Sequence, residues 1–206
     1  MFEVMELNKK EYSSAIKKTP FKYPISKKIA SLMLKGLDRN EVYNECYNNN
    51  YIEIDSIERR REVTNIIYER LVKLDQFLLD YFVNGDVETS KFILVYTIAK
   101  SDALFLDFMF EVYREALVGR KDYITVDDFN NFFEIKKETS SIVASWGDYT
   151  LNQLSKGYRN ILVDSGFGVR VKRNIQATKV MIHPLVEEHI VLVGDKDYLK
   201  ALLGAD

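Results

Sequence analysis

Cysteine is almost missing from this chain: Cys46 is the only one in 206 residues. A single thiol excludes an internal disulfide and a thiolate zinc cluster. With only His183 and His189 beside it, no ligand set for a conventional structural zinc site remains. Proline and glycine are also scarce, three and nine residues, which favours long helices over a many-turned β architecture. Long apolar runs are missing as well. The longest, FILVYTIA at 92–99, is about half of the roughly 20 residues a membrane-spanning helix needs. The next, ALFLDFMFEV, is broken by Asp107 and Glu111. The opening MFEVMELNKK has no apolar stretch behind a basic start, so it does not read as a signal peptide. These absences predict a cytoplasmic protein with no membrane partner, no metal and no cofactor.

What is present is core material: 47% of residues are hydrophobic and 13% aromatic, enough for one large domain or two small ones. The net charge of −2 hides a strong segregation. Residues 8–37 hold eight lysines, among them Lys27 and Lys28, against Glu11 alone, a net of +7. Residues 149–182 hold Lys156, Arg159, Arg170, Lys172, Arg173 and Lys179 against Asp164 alone, a net of +5. The remainder is correspondingly acidic. Two basic segments on an acidic body suit a polyanion bound at defined surfaces. For 8–37 the alternative is a flexible arm of solvated lysines.

The periodicity predicts a mainly α fold in four parts. Residues 1–24 read as an irregular arm, because Pro20 and Pro24 disfavour helix before them. An N-terminal helix-turn-helix-like unit follows at 25–75, with a helix capped by Ser26 and ending at Gly36. Its second helix is capped by Asp38 and runs to Cys46, and its third runs from 55 to 74. The central helical core, 76–145, has helices near 76–83, 87–100 and 102–118. Thr125 and Asp128 form a capping box there, ahead of Phe129, Phe132 and Phe133. The last unit, 146–206, opens with a helix capped by Asp148 or Thr150 and stopped by Gly166. Strands at 167–171 and 179–182, joined by KRNIQAT, come next, and two short helices near 185–193 and 196–203 finish the chain.

Helix, glycine, strand, basic loop, strand is the order of a recognition helix and a β-hairpin wing. The helix presents Asn152, Lys156 and Arg159 at i, i+4 and i+7, with Gln153 alongside. Amides of this kind pair with adenine edges, and Arg or Lys with guanine edges or phosphate. Arg170, Lys172, Arg173 and Lys179 on the hairpin suit flanking phosphates. Arg59, Arg60 and Arg61 form a second candidate surface, though Glu58 and Glu62 flank them and salt-bridging reads equally well.

Catalytic patterns fail. His183 and His189 are not at the i, i+4 spacing of a zincin helix and read as helix-capping or half-buried histidines. Gly166-Phe167-Gly168 lacks the third glycine of a dinucleotide loop. Nothing pairs a nucleophile with a base, so the expectation is a protein that is not an enzyme.

From about Pro24 to Gly204 the chain resembles the BrxA-like proteins of bacteriophage-exclusion (BREX) defence islands. The resemblance rests on ISKKIASLMLKG at 25–36, on Tyr68-Glu69-Arg70-Leu71, and on SDALFLDFMFEVY within 91–113. It continues in Trp146 with TLNQL and ILVDSG, in Ile182 and Pro184, and in YLKALLG at 198–204. It implies a small non-enzymatic helical protein encoded beside a DNA methyltransferase, a large ATPase and a phosphatase-like protein. It also implies double-stranded DNA binding through helix-turn-helix-like domains. Two rival classes fit the same composition: an all-helical RNA-binding protein of antitermination type, and an assembly adaptor that binds only proteins.

Overall fold

The computed structural model describes residues 12–204 and is mainly helical, with one two-stranded antiparallel sheet among those residues. Three helices open it: α1 (Tyr23–Leu34), α2 (Arg39–Tyr47) and α3 (Ile57–Leu71), packed on one another. Asp38 accepts from the Glu41 amide and Glu41 returns to the Asp38 amide, so the expected stop and restart is a full capping box. The centre comprises α4 (Gln76–Asn84), α5 (Val87–Ser101), α6 (Ala103–Phe108) and α7 (Arg114–Leu117). Every residue of α5 from Phe92 to Ala99 is buried, so the longest apolar run is the middle of the core. No described helix is long and apolar enough to cross a membrane. The buried hydrophobic residues among those described form one continuous cluster.

The order from α6 onward builds the site. A single bridge residue, Ile124, precedes α8 (Val126–Thr139), whose Thr125–Asp128 capping box forms as the sequence predicts. Next come the short α9 (Ser141–Ala144) and the long α10 (Asp148–Ser165). Strands β1 (Gly168–Val171) and β2 (Asn174–Ala177) follow, and Ile175 of β2 also bridges Ile124. The sheet edge therefore runs β1, β2, Ile124. Two helices, α11 (Pro184–Leu192) and α12 (Lys196–Leu203), close the chain.

Several expectations need correction. Helix α1 starts at Tyr23 and not after Ser26, because Pro24 falls in its first turn, where its missing N–H costs nothing. Ser26 is buried instead. The described part of the expected arm is no arm: Ile16, Thr19 and Phe21 are buried, and a 3-10 turn at Ala15–Lys17 packs on α10. Residues 1–11, with Lys9 and Lys10, lie outside the described residues. The third helix is shorter than expected and leaves Ile57 half exposed. The helix expected at 102–118 is interrupted by a π-turn at Met109–Tyr113. Neither Asp148 nor Thr150 caps α10; Gly147 occupies that position.

The second strand is displaced. It is the polar Asn174–Ala177, and 179–182 is not strand. A two-residue turn at Lys172 and Arg173 sets the register, pairing Val171 with Asn174 and Gly168 with Ala177. Lys172 takes the left-handed conformation there, φ 55°, a position glycine or asparagine ordinarily holds. At the hairpin base a Cβ on Gly168 would overlap the Ile175 side chain and crowd the Gln176 carbonyl, so a larger residue would force the strands to shift.

Candidate functional site

The amphipathicity of α10 decides which of its residues face outward. Leu151, Leu154, Tyr158, Ile161 and Leu162 are buried, and the Tyr158 ring meets Phe105 edge-on and Phe108 and Phe133 at a tilt. Gly157 sits close against Ile16, where an added Cβ would lie 3.0 Å from the isoleucine methyl. Those contacts fix the rotation of the helix and turn Asn152, Lys156 and Asn160 to solvent, with Arg159 half-buried.

Where the outer face of α10 meets the hairpin there is a groove of about 320 Å³. It is lined by Val126, Lys156, Arg159, Asn160, Arg170, Lys172 and Arg173. Five of these seven side chains are cations and none is an acid. Among the described residues, none of the five forms an ion pair with a carboxylate. Arg159 lies on the Phe129 ring, its Cζ 4.6 Å from the centroid, and its buried Nε finds no acceptor. Burial, and then the nearby Arg170, lowers the Arg159 pKa below the ordinary arginine value.

The other sequence-predicted residues are placed differently. Asn152 is one turn away in a smaller depression with Glu134 and Asp148, and Gln153 is half-buried beside it. Lys179 is exposed but follows the hairpin and does not line the groove. Lys27 is inside the fold's own bonding: its Nζ donates to the Phe82 and Val83 carbonyls at 2.8 and 2.7 Å and to Ser90. It thereby caps the C-terminus of α4, where unpaired carbonyls collect partial negative charge. Lys28 pairs with Glu53 and donates to the Tyr51 carbonyl. Arg59 bonds Glu62 and the Lys18 carbonyl, and Arg60 bonds the Tyr47 and Asp55 carbonyls. Of the two readings of the arginine cluster, the internal one describes these two side chains.

The histidines are structural. His183 caps α11 by accepting from the Leu185 amide, and His189 stacks on Phe77 and bonds Asp75. Among the described residues no cluster of His, Cys, Asp and Glu has the makings of a metal site. Sequence reasoning did not single out Asn160 or Val126. Asn160 was visible as the neighbour of Arg159 on an exposed face, whereas Val126 reaches the groove only through the Ile124 bridge.

A family model described as BrxA matches residues 10–192. The chain belongs to the BrxA family. A curated member, "BREX protein BrxA" of Bacillus cereus (strain H3081.97), is 36% identical over 193 residues, covering 94% of this chain and 96% of its own. The fold is also that of a crystal structure of an uncharacterized protein from Magnetospirillum magneticum, with TM-score 0.82 at 19% identity. That likeness covers 95% of this BrxA-family chain and all of the other.

Proposed function

We propose that this chain is a non-enzymatic accessory protein of a bacteriophage-exclusion defence system, and that it binds duplex DNA by its backbone phosphates. The observation that carries the reading is the groove between α10 and the hairpin: five converging cations with no carboxylate among its lining residues. Each phosphate neutralised there releases condensed counterions, so the drive for binding is entropic and sensitive to salt. The element order supports the same reading. A bridge residue, three helices of which α9 is a single turn, and a hairpin that pairs back to the bridge resemble the order of a winged helix, with α10 as recognition helix and β1–β2 as wing. The defence context comes from the family and from the name of the Bacillus cereus relative. The system's methyltransferase, ATPase and phosphatase-like protein are the protein partners this reading implies.

Fluorescence anisotropy with a labelled duplex, titrated across salt, tests it. Wild type should show log affinity falling with log salt at a slope of about 4 to 5, near 0.9 per phosphate held. Changing Lys172 and Arg173 to alanine should remove about two units of slope, which near 0.1 M salt is roughly a 100-fold loss of affinity. Unchanged affinity and slope in that variant would refute the groove as the DNA surface.

One observation favours the adaptor reading in addition. Helix α11 exposes Leu185, Val191 and Leu192, the last 81% exposed, beside Glu187 and Glu188. Acids and bare aliphatics suit a protein partner better than a polyanion.

A further inference from the structure

The floor of the groove differs from its rim. Lys156, Lys172 and Arg173 are exposed side chains, free to follow any nearby negative charge. Arg159 is not free in that way. Its guanidinium carbon lies over the Phe129 ring, 4.6 Å from the centroid, a contact that restrains the fork. None of its five N–H groups has an acceptor among the described residues, and the Nε is buried without one. Arg170, on β1, lies near enough for its charge to be felt at Arg159, and it too has no carboxylate partner there. The two guanidinium groups line one groove and repel one another. Unspent donors, unpaired positive charge and a restrained fork suit an oxyanion site, because a tetrahedral anion accepts two parallel N–H bonds from one fork.

We propose that Arg159 and Arg170 form a discrete site for a single tetrahedral phosphate, filled in the duplex complex by one backbone phosphodiester. The proposal rests on the duplex reading of the groove and narrows it. One phosphate is gripped in fixed geometry and sets the register of the protein on DNA, while the rim cations supply diffuse attraction. Such a site takes free inorganic phosphate as well, and this separates it from a merely basic surface. A diffuse surface responds to ionic strength alone, whereas a shaped site distinguishes phosphate from chloride at equal ionic strength.

The test uses the full chain and inorganic phosphate. The ¹H–¹⁵N signal of the Arg159 Nε–H should shift saturably as phosphate is added, and not with chloride of matched ionic strength. Duplex affinity should be weaker in phosphate than in matched chloride by about fivefold, the mark of competition for one site. Arg159→Lys keeps the charge and loses the fork. It should keep the chloride salt slope and lose both the phosphate preference and saturable binding. Arg170→Lys, on an exposed strand position, should blunt the preference in the same direction and serves if the first variant fails to fold. Equal effects of phosphate and chloride on wild type would overturn the site, and the groove reading would survive if Lys172 and Arg173 still carry salt slope. Saturable phosphate binding lost in Arg159→Lys, with no duplex binding at all, would uphold the site and overturn the duplex reading.

Discussion

The two basic segments of this chain have similar charge in the sequence, but several cations of the first are held by the chain itself while those of the second line a groove. In the N-terminal segment Lys18 pairs with Glu62, Lys27 caps α4, and Lys28 pairs with Glu53. Arg70 is buried to 3% exposure and donates to the Thr19 and Pro20 carbonyls, tying the segment before α1 to α3. In the C-terminal segment Lys156, Arg159, Arg170, Lys172 and Arg173 line one groove that has no acid in its lining. The lesson concerns what a count of cations means. A cation surrounded by carbonyls and carboxylates of its own chain is structural; the same residue among other cations has its charge left over for a ligand.

The comparison breaks if N-terminal cations carry binding or C-terminal ones carry stability. The largest structural effect should come from Arg70→Ala. Leaving two carbonyls without their donor and the buried Asp102 without its nearby positive charge should cost about 4 kcal/mol in denaturant unfolding. A loss below about 1 kcal/mol would show that these bonds are not what holds the segment down.

A smaller effect, dependent on pH, belongs to Asp102, which caps α6 from a buried position and whose pKa burial raises to about 6. Below about pH 4 both the native and the unfolded carboxyl are protonated, so no penalty applies. Between about 4 and 6 the unfolded chain has released a proton that the native state keeps, so this group's contribution falls as pH rises. Above that window the penalty is constant. Asp102→Asn retains an oxygen acceptor for the Phe105 amide and does not titrate. Its stability relative to wild type should rise by about 2–3 kcal/mol from pH 4 to pH 7. Carboxylates with lowered pKa, such as Glu62 beside Lys18 and Arg59, act in the opposite sense but cancel in this difference. A pH-independent difference would mean Asp102 titrates normally.

The smallest effect sharpens the comparison most directly. Lys27→Met should lower stability by about 1–2 kcal/mol through the uncapped carbonyls of α4. It should also leave duplex affinity and salt slope within twofold of wild type. A slope reduced by about one unit would return the N-terminal lysines to the binding surface.

Much of the helical plan was legible before folding was considered. The Asp38 cap and the Thr125–Asp128 box are local, since side chain and amide lie three residues apart. Gly166, at φ 88°, ends α10 by a conformation that costs glycine little. The last helix, Lys196–Leu203, has the expected limits for the same reason. The hairpin's second strand was illegible. Its residues, NIQA, carry weak strand preference, and its turn places lysine where a readable hairpin would show asparagine or glycine. Pairing with β1 and the Ile124 bridge selected it, overriding local preference. The candidate site was half legible. Spacing on α10 put Lys156 and Arg159 on one face, but it also put Asn152 there, which the fold sets beside Glu134 and Asp148.

The sequence by itself determined the class of the molecule. Scarce proline and glycine, capped amphipathic repeats and short apolar runs fix helices whose faces must bury one another, because these signals act within a turn or two of chain. Only the tertiary structure decided which charges were left over. Lys27 meets the end of α4 fifty-five residues away, and Arg159 meets the Phe129 ring across the packing of α8 on α10. Whether a cation is neutralised depends on neighbours brought from such distances, and no local pattern encodes them.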